Sequence, residues 1–325
     1  MSATSSIEWT DATWNPVRGC SIVSKGCTNC YAMRQAHRFS GAGKAYEGLT
    51  QMSKGGPVWT GNVRLVPELL DEPLHWKKRR RIFVNSMSDL FHEDVPDEFI
   101  DRIWRMMMRA KNHTFQILTK RPARMLAYLS RFRPDGDGWI TRDGKPAMGK
   151  PQSGPLFSAN KWPPKHIWLG VSCEDQPTAD ERIPLLLQMP AAVRWISAEP
   201  LLGDIVVPSL HELDWVVAGG ESGPGARPMH PRWVGRLRDE CAVANVPFFF
   251  KQWGAWAPVP RRENAPGKPQ MVVGGDCMLT CDGRSEILKW PLHSSLEAEA
   301  TPLRRFGKKR AGRLLDGRTH DEYPA

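Results

Sequence analysis

The sequence predicts an α/β fold, a partial (β/α) barrel of six to seven parallel strands with two loop insertions. Three observations support this prediction. Short apolar runs recur along the 325-residue chain, most of them end in polar residues, and helical stretches separate several of them. Strands that alternate with helices form βαβ units with right-handed crossovers, and six or seven such units can close partly into a barrel. A doubly wound open sheet is the alternative.

The predicted strands are short and apolar on both faces, which is typical of strands in a buried parallel sheet. A first strand is predicted within 12–19, in "ATWNPVRG". The six further strand runs are 81–89, 114–120, 166–175, 193–200, 214–222 and 246–252.

Helices are predicted between these runs. Apolar residues recur in 96–110 with the spacing of a helical stripe. The stretch 178–189 is expected to break or restart at Pro184, because proline lacks the N–H that the helix needs. The other predicted helices are 121–132, 231–245 and one that begins near Tyr31.

We expect one domain over 1–325. Two stretches, about 133–165 and about 255–300, are rich in Gly and Pro without a period, and we interpret them as insertions. The second contains "MVVGGDCMLTCDGRSEIL", which is compatible with a small hairpin. The remaining residues, 301–325, form a basic C-terminal segment.

The net charge of +10 suggests a polyanionic partner, most simply nucleic acid. Five cations stand together from Lys77 to Arg81, and seven lie between Arg304 and Arg318 with one acidic residue, Asp316. A charge run is also typical of an ordinary solvated face, so the basic residues alone leave both readings open.

We expect no membrane partner, because no run approaches the ~18 apolar residues of a membrane-spanning helix. The N-terminal residues show no secretory signal, which favours the cytoplasm, where thiols stay reduced. Seven cysteines, an odd and unevenly spread number, agree with that compartment.

Three of these cysteines, Cys20, Cys27 and Cys30, form a C-x6-C-x2-C pattern just after the first predicted strand. Three thiolates can hold a 4Fe–4S cluster and leave one iron open to an external ligand. A zinc site with a fourth ligand such as His37 is the structural alternative.

Polar side chains follow nearly every predicted strand, and in α/β folds sites form at the carboxyl ends of the strands. We therefore expect a shared cavity that faces the three cysteines. The residues at these ends include Asn85, Ser86, Ser88 and Asp89, then Lys120, then Cys173 and Glu174, then Glu199, Glu221 and Lys251.

A three-cysteine loop before a partial barrel resembles the radical S-adenosylmethionine enzymes. The chain is more closely similar to an uncharacterised bacteriophage-associated family that carries this three-cysteine motif. The resemblance covers about residues 8 to 323. Its motifs are "TWNPVRGC", "CTNCYA", "FVNSMSDLFHEDVP", "LTKRP", "SAEPLLG", "GGESG", "FFKQWG" and "GRLLDGRTHDEYP".

The motif departs from the general radical-enzyme pattern in three ways. The first spacing is six residues instead of three, and Asn29 stands where an aromatic residue usually precedes the last cysteine. The Gly-Gly-Glu that usually closes the second strand and holds the cofactor's amino group is replaced by "NSMSD", while a "GGE" occurs at 219–221. Ser86, Ser88 or Asp89 would then have to hold that amino group.

The resemblance implies two cofactors, a 4Fe–4S cluster on the three cysteines and S-adenosylmethionine. It also implies an electron donor, and together with the charge it suggests a nucleic acid or nucleotide substrate that is modified or repaired. We expect Asn85, Ser86, Ser88, Asp89, Glu174 and Glu221 to bind the cofactor, and Cys173, Lys120, Glu199 and Lys251 to be catalytic.

Cys173 is also compatible with a plain buried position, and its suggested role is to return a hydrogen atom to the substrate. Two other functions remain open at this point. One is a non-enzymatic nucleic-acid-binding protein with a structural zinc or iron–sulfur site. The other is a metal-dependent phosphodiester hydrolase that uses Asp89, Glu174 and Glu199.

Overall fold

The fold is known from a computed structural model, which describes residues 5–135, 138–141, 163–259, 275–288 and 300–325. Its longer strands agree with the predicted apolar runs. In chain order the strands are β1 (Ala12–Trp14), β2 (Val17–Arg18), β3 (Thr50–Ser53), β4 (Gly56–Trp59), β5 (Arg64–Leu65), β6 (Arg81–Val84), β7 (Thr114–Thr119), β8 (Phe132–Asp135), β9 (Gly138–Thr141), β10 (Ile167–Ser172), β11 (Arg194–Ala198), β12 (Trp215–Gly219), β13 (Phe248–Gln252), β14 (Trp256–Pro258), β15 (Cys277–Thr280), β16 (Ser285–Ile287) and β17 (Ala300–Arg305).

Five helices of the described residues agree with the predicted ones in place and type, and the last, a short helix near the C-terminus, was not predicted. The helices are α1 (Tyr31–His37), α2 (Asp97–Arg109), α3 (Pro122–Leu129), α4 (Gln176–Leu187), α5 (Pro231–Ala244) and α6 (Lys308–Ala311). The predicted break at Pro184 is wrong, because α4 continues through it. Proline has no N–H to donate to the carbonyl four residues earlier, and the helix loses that one hydrogen bond without ending.

The main sheet of the described residues has seven strands in the order β1-β6-β7-β10-β11-β12-β13. Each strand follows its neighbour in chain order, and β1 pairs in parallel with β6, β6 with β7 and β7 with β10. A doubly wound sheet would reverse its direction of growth at one strand. The prediction of an α/β partial barrel of six to seven parallel strands is therefore confirmed.

The chain divides into two compact units. The first comprises Met1–Ser172 and Glu181–Ile196. Its core holds large aromatic rings, with Trp9 packed 4.7 Å from Phe83 and 5.3 Å from Trp195 between ring centroids. Gly170 in β10 faces Trp195 so closely that a Cβ would lie 2.4 Å from the indole ring. Burial of these rings supplies much of the hydrophobic stabilisation of this unit.

The second unit comprises Cys173–Asp180 and Ser197–Ala325. Here β12 and β13 are parallel, and the outer edge of β13 is covered by the C-terminal segment, where Asp321 bridges to Phe249. This cover protects a strand edge that would otherwise offer unpaired backbone groups. A four-stranded antiparallel sheet, β14-β17-β15-β16, also belongs to this unit.

The small hairpin proposed for the second insertion is present as β15 and β16, which pair antiparallel. In the first insertion, β8 and β9 pair antiparallel. Parts of both insertions lie outside the described residues. They are 136–137 and 142–162 in the first insertion, and 260–274 and 289–299 in the second. In the described parts of the chain, no helix is long and apolar enough to cross a membrane.

Candidate metal and cofactor site

The three cysteines lie on a turn-rich loop that follows β2. The loop is entered through Gly19, whose φ of 88° is in the left-handed region and where a Cβ would lie 2.3 Å from the Asn62 carbonyl oxygen. Glycine is therefore required at this point. A short 3-10 turn, Lys25–Cys27, follows, and the Cys30 N–H donates to the Cys27 carbonyl at 3.2 Å just before α1.

The thiols of this loop are not joined in disulfides, and they lie close together. All seven cysteines belong to the described residues, and none forms a disulfide. Cys20 interacts electrostatically with both Cys27 and Cys30. Burial, followed by the nearby Asp89 carboxylate, raises the pKa of Cys20 to about 12, although the Arg121 guanidinium acts in the opposite direction. A thiolate at Cys20 therefore depends on compensating positive charge.

Cys30 shows the same balance with another cation. Burial raises its pKa, and the Cys27 thiol adds to the rise. The backbone N–H groups of Ala32 and Met33 and the Lys120 ammonium lower it. Two cations that follow β7, Lys120 and Arg121, thus act on two different sulfurs of the loop.

The donor set of the loop suits an iron–sulfur cluster better than a single metal ion. Among the described residues, no group of three or more His, Cys, Asp or Glu side chains is arranged to hold a single metal ion. In a 4Fe–4S cluster each thiolate binds a different iron, so its ligands need not meet around one ion. His37, the suggested fourth zinc ligand, has Nδ1 3.1 Å from Thr50 Oγ1 and 3.4 Å from Ser40 Oγ. Three reduced thiols with nearby cations fit an anionic cluster.

The residues after β6 connect to the first strands of the same unit. Ser88 Oγ donates to the Val17 carbonyl at 2.8 Å, and Ser86 Oγ donates to Asn15 Oδ1 at 3.1 Å. Asn85 has a positive φ of 58°, is buried, and accepts from the Val17 N–H through Oδ1 at 3.3 Å. The amide nitrogen Nδ2 of Asn85 makes no hydrogen bond within the described residues. A buried donor of this kind is costly unless a ligand or water accepts from it.

Asp89 is buried, and its carboxylate is fully used inside the protein. Oδ1 accepts from Thr119 Oγ1 at 2.7 Å and from the Phe91 N–H at 3.0 Å. Oδ2 accepts from the Lys120 N–H and from Arg121 Nη1, both at 3.1 Å. Four donors leave little capacity for a further ligand. Asp89 therefore links the end of β6 to the end of β7.

Sequence reasoning missed a polar cluster beside Cys20. Ser21 Oγ lies 2.9 Å from His92 Nε2, 3.3 Å from Glu93 Oε1 and 2.6 Å from Arg121 Nη2. His92 Nδ1 accepts from the Asp94 N–H at 3.2 Å, so the ring proton is on Nε2 and donates to Ser21. His92 and Glu93 lie in the motif "FVNSMSDLFHEDVP" and Arg121 lies in "LTKRP", but residue type alone did not single them out.

In the second unit, Glu199 and Lys251 form an ion pair. Lys251 Nζ is 3.2 Å from Glu199 Oε1, and both side chains are largely buried. Lys251 is the extra residue of a β-bulge, because Ala218 pairs with Phe250 whereas Gly219 pairs with Gln252. Bulges often redirect a side chain next to a functional site. A bulge of this kind could not be inferred from the sequence.

Glu221, the glutamate of the "GGE", is also paired. Arg227 binds its carboxylate through Nη2 at 2.6 Å and Nε at 2.9 Å, and the Arg227 backbone N–H donates to it at 2.8 Å. Such a bidentate pair is among the stronger ionic contacts in proteins. Cys173 and Glu174, which follow β10, are both completely buried. The Cys173 N–H donates to the Ser197 carbonyl at 2.9 Å.

The structure thus brings the three cysteines, Asp89 and the backbone of Lys120 together in the first unit, and Glu199 with Lys251 in the second. Whether all predicted residues share one cavity stays a prediction. The fold and the loop define an α/β protein of partial-barrel topology with a three-cysteine motif.

Comparison with known families agrees with the extent of the motifs. A family model described as "Protein of unknown function (DUF5131)" matches residues 4–324, and the chain belongs to this family. No curated protein and no solved structure matches the chain.

Proposed function

We propose that the protein is a radical S-adenosylmethionine enzyme whose Cys20, Cys27 and Cys30 hold a 4Fe–4S cluster. One observation carries the proposal: three thiols without disulfide partners interact on one loop, and cations from the end of β7 act on two of them. Three protein ligands leave one iron open for an external group. When bound, the reduced cluster would supply an electron to S-adenosylmethionine, whose cleavage gives methionine and a 5′-deoxyadenosyl radical that takes hydrogen from the substrate.

The chain's own residues would position the cofactor. Among those predicted to do so, Asn85 is best supported, because its buried Nδ2 still has a hydrogen to donate. The hydroxyl protons of Ser86 and Ser88 are already used within the protein, and the Asp89 carboxylate accepts from four donors. Because the Asp89 carboxylate already accepts four hydrogen bonds, it is poorly suited to bind a metal ion. This disfavours a metal-dependent hydrolase that would need this carboxylate as a ligand.

Proton and hydrogen transfer are assigned to the predicted catalytic residues. The Glu199–Lys251 pair would hold or move a proton between its carboxylate and its ammonium, which are in direct contact. Lys120, whose charge acts on Cys30, would orient an anionic group. Cys173 is buried at the end of β10, and its role in the proposal is to return a hydrogen atom. Glu174 and Glu221 would contribute to cofactor binding, Glu221 together with Arg227.

We propose a nucleic acid or nucleotide as the substrate. The support is the net charge of +10, the exposed cations Lys77, Lys78 and Arg79, and the resemblance to phage-associated proteins. Cytoplasmic location and an external electron donor belong to the same proposal, and the odd, unevenly spread number of cysteines agrees with that compartment.

The proposed function is tested by anaerobic purification and reconstitution of the full chain. We expect close to four irons and no zinc per chain, by analogy with other three-thiolate clusters. Added S-adenosylmethionine should perturb the spectroscopic signal of the reduced cluster and yield 5′-deoxyadenosine and methionine slowly. Stoichiometric zinc without iron contradicts the proposal. An unperturbed signal at saturating cofactor leaves a structural cluster as the function.

The nucleic-acid part predicts a salt-dependent interaction. We expect binding to single- or double-stranded DNA or RNA to weaken with salt by roughly 0.7 to 0.9 log units per log unit of salt for each phosphate contacted. Replacing Lys77, Lys78 and Arg79 with Ala should flatten this slope by about 2 to 3 if each contacts one phosphate. Fluorescence anisotropy at several salt concentrations measures it.

A matched control removes the same charge elsewhere. Lys44, Lys54 and Lys111 are also exposed cations of the first unit, and their triple Ala variant should keep the wild-type slope. Equal effects of both variants would mean that only total charge matters. Arg304 is unsuitable for this test, because it binds the buried Asp276 carboxylate through Nε and Nη2, each at 2.8 Å.

A further inference from the structure

Arg121 connects the cysteine loop to the strand ends around it. Its side chain is 9% exposed, and all three guanidinium nitrogens are used. Nη1 donates to Asp89 Oδ2 at 3.1 Å and lies 3.9 Å from Cys20 Sγ, a hydrogen-bonding distance for sulfur. Nη2 donates to Ser21 Oγ at 2.6 Å, and Nε donates to Glu93 Oε2 at 2.8 Å.

The backbone of Arg121 is also held in place. Its N–H donates to Thr119 Oγ1 at 2.9 Å, and α3 begins at the next residue, Pro122. The planar guanidinium therefore projects from a fixed point at the end of β7. Arginine suits this position because its donors form a rigid fork, whereas a lysine ammonium is a flexible point charge.

The charges around Cys20 show what the guanidinium contributes. The Asp89 carboxylate lies near this sulfur, the Glu93 carboxylate accepts from the hydroxyl of the neighbouring Ser21, and Arg121 pairs with both carboxylates. An anionic cluster next to two carboxylates would be harder to reduce, because reduction adds another negative charge. Hydrogen bonds to ligand sulfurs and local positive charge raise the potential of an iron–sulfur cluster.

We propose that Arg121 is a positioning residue of the cluster site, which fixes the Cys20 sulfur against Asp89 and Glu93 and raises the reduction potential of the cluster. This inference rests on the proposed function. Arg121 would then have two effects. The geometric effect is to hold the cysteine loop in place, and the electrostatic effect is to raise the reduction potential of the cluster.

The electrostatic effect is tested by redox titration of the reconstituted protein. Arg121→Gln should lower the reduction potential of the cluster. At a fixed solution potential, the ratio of reduced to oxidised cluster should fall about tenfold, which corresponds to a shift of 59 mV for a one-electron couple. Arg121→Lys keeps the charge and should shift the potential less. Arg131→Gln is the control, because Arg131 lies two residues beyond the end of α3, where it pairs with Asp97 and stacks on Tyr128. Its potential should equal that of the wild type.

The geometric effect is tested on the protein without cluster. Lys25 is exposed inside the loop, so trypsin cleavage after it reports how firmly the loop is held. Both Arg121 variants should speed this cleavage by roughly fivefold, since each loses the fork of hydrogen bonds that holds Ser21 and Cys20. Arg131→Gln should leave the rate unchanged.

The outcomes separate the inference from the proposed function. If the wild type binds a cluster and Arg121→Gln has its potential unchanged, the electrostatic role is overturned. If cleavage after Lys25 is equally slow in all variants, the geometric role is overturned. If the wild type binds no iron, the proposed function fails and takes the electrostatic role with it, while the cleavage rates still decide whether Arg121 holds the loop.

Discussion

Replacement of Cys27 by Ala should reduce bound iron to a small fraction of the wild-type content and abolish formation of 5′-deoxyadenosine. Cys27 closes the 3-10 turn of the loop, and its carbonyl accepts from the Cys30 N–H, so its backbone position survives the change. The variant loses the thiol alone. Because two remaining thiolates do not satisfy a cluster that uses three protein ligands, the cluster should be lost. Iron and sulfide analysis after anaerobic reconstitution measures this directly.

Cys241→Ala provides the matched control. Cys241 is completely buried in α5, and burial raises its pKa to about 12, which makes it an unreactive thiol. This variant should keep full iron content and product formation, with a small loss of stability at most. Retention of the full iron content in Cys27→Ala would show that the metal is held elsewhere and would refute the proposed cluster site.

The fold could be predicted because its signals are local. Each strand of the main sheet is a short apolar run, and the helices between them carry apolar stripes, so composition and period were enough to locate them. The order of the strands was left open between a partial barrel and a doubly wound sheet, and the observed order agrees with the tendency of sequential βαβ units to lie side by side. The continuation of α4 through Pro184 could not be foreseen, since propensity sets only the cost of a proline and packing decides whether the helix survives it.

The sequence predicted which types of residue form the site, but not which of them contact each other. The spacing of the cysteines is visible in the sequence, whereas the partner of a charged side chain depends on the fold. Arg121 looks like any other cation in "LTKRP", although it contacts residues 28 and 100 positions earlier in the chain. Arg227 likewise shows no partner in the sequence pattern, and it binds the carboxylate of Glu221 six residues away.

The basic C-terminal segment illustrates the same limit. Its charge run suggested a phosphate-binding surface, but part of the charge serves the fold. Arg304 binds Asp276, and Arg313 donates to the Lys251 carbonyl at 2.9 Å and pairs with Asp321. Arg313 also stacks on Phe249, with its guanidinium carbon 5.1 Å from the ring centroid. The number of cations in this segment therefore overestimates how many of them can contact the phosphates of a nucleic acid.

Two glycine-to-alanine changes in the second unit should have opposite effects on stability. Gly220 follows β12, and a Cβ there would lie 2.0 Å from the carbonyl oxygen of Trp253. Since the obstacle is backbone, no side-chain rotation relieves it, and we expect Gly220→Ala to cost about 3 kcal/mol or more of unfolding free energy. It should also separate Glu221 from its present position, because the Ala255 N–H donates to the Glu221 carbonyl across the same contact.

Gly235 lies inside α5, and a Cβ there meets no atom within 4 Å. Gly235→Ala should therefore stabilise the protein by about 0.5–1 kcal/mol, because alanine restricts the unfolded chain and favours the helix.

Gly219→Ala is an intermediate case. A Cβ at Gly219 would lie 2.7 Å from Glu199 Oε1, so the Glu199 carboxylate would have to move away from Lys251 while the backbone stays in place. Urea unfolding of the three variants should rank them Gly220→Ala, Gly219→Ala, Gly235→Ala from least to most stable. A Gly220→Ala protein as stable as the wild type would mean that the segments around Gly220 and Trp253 do not approach as closely as the structure has them.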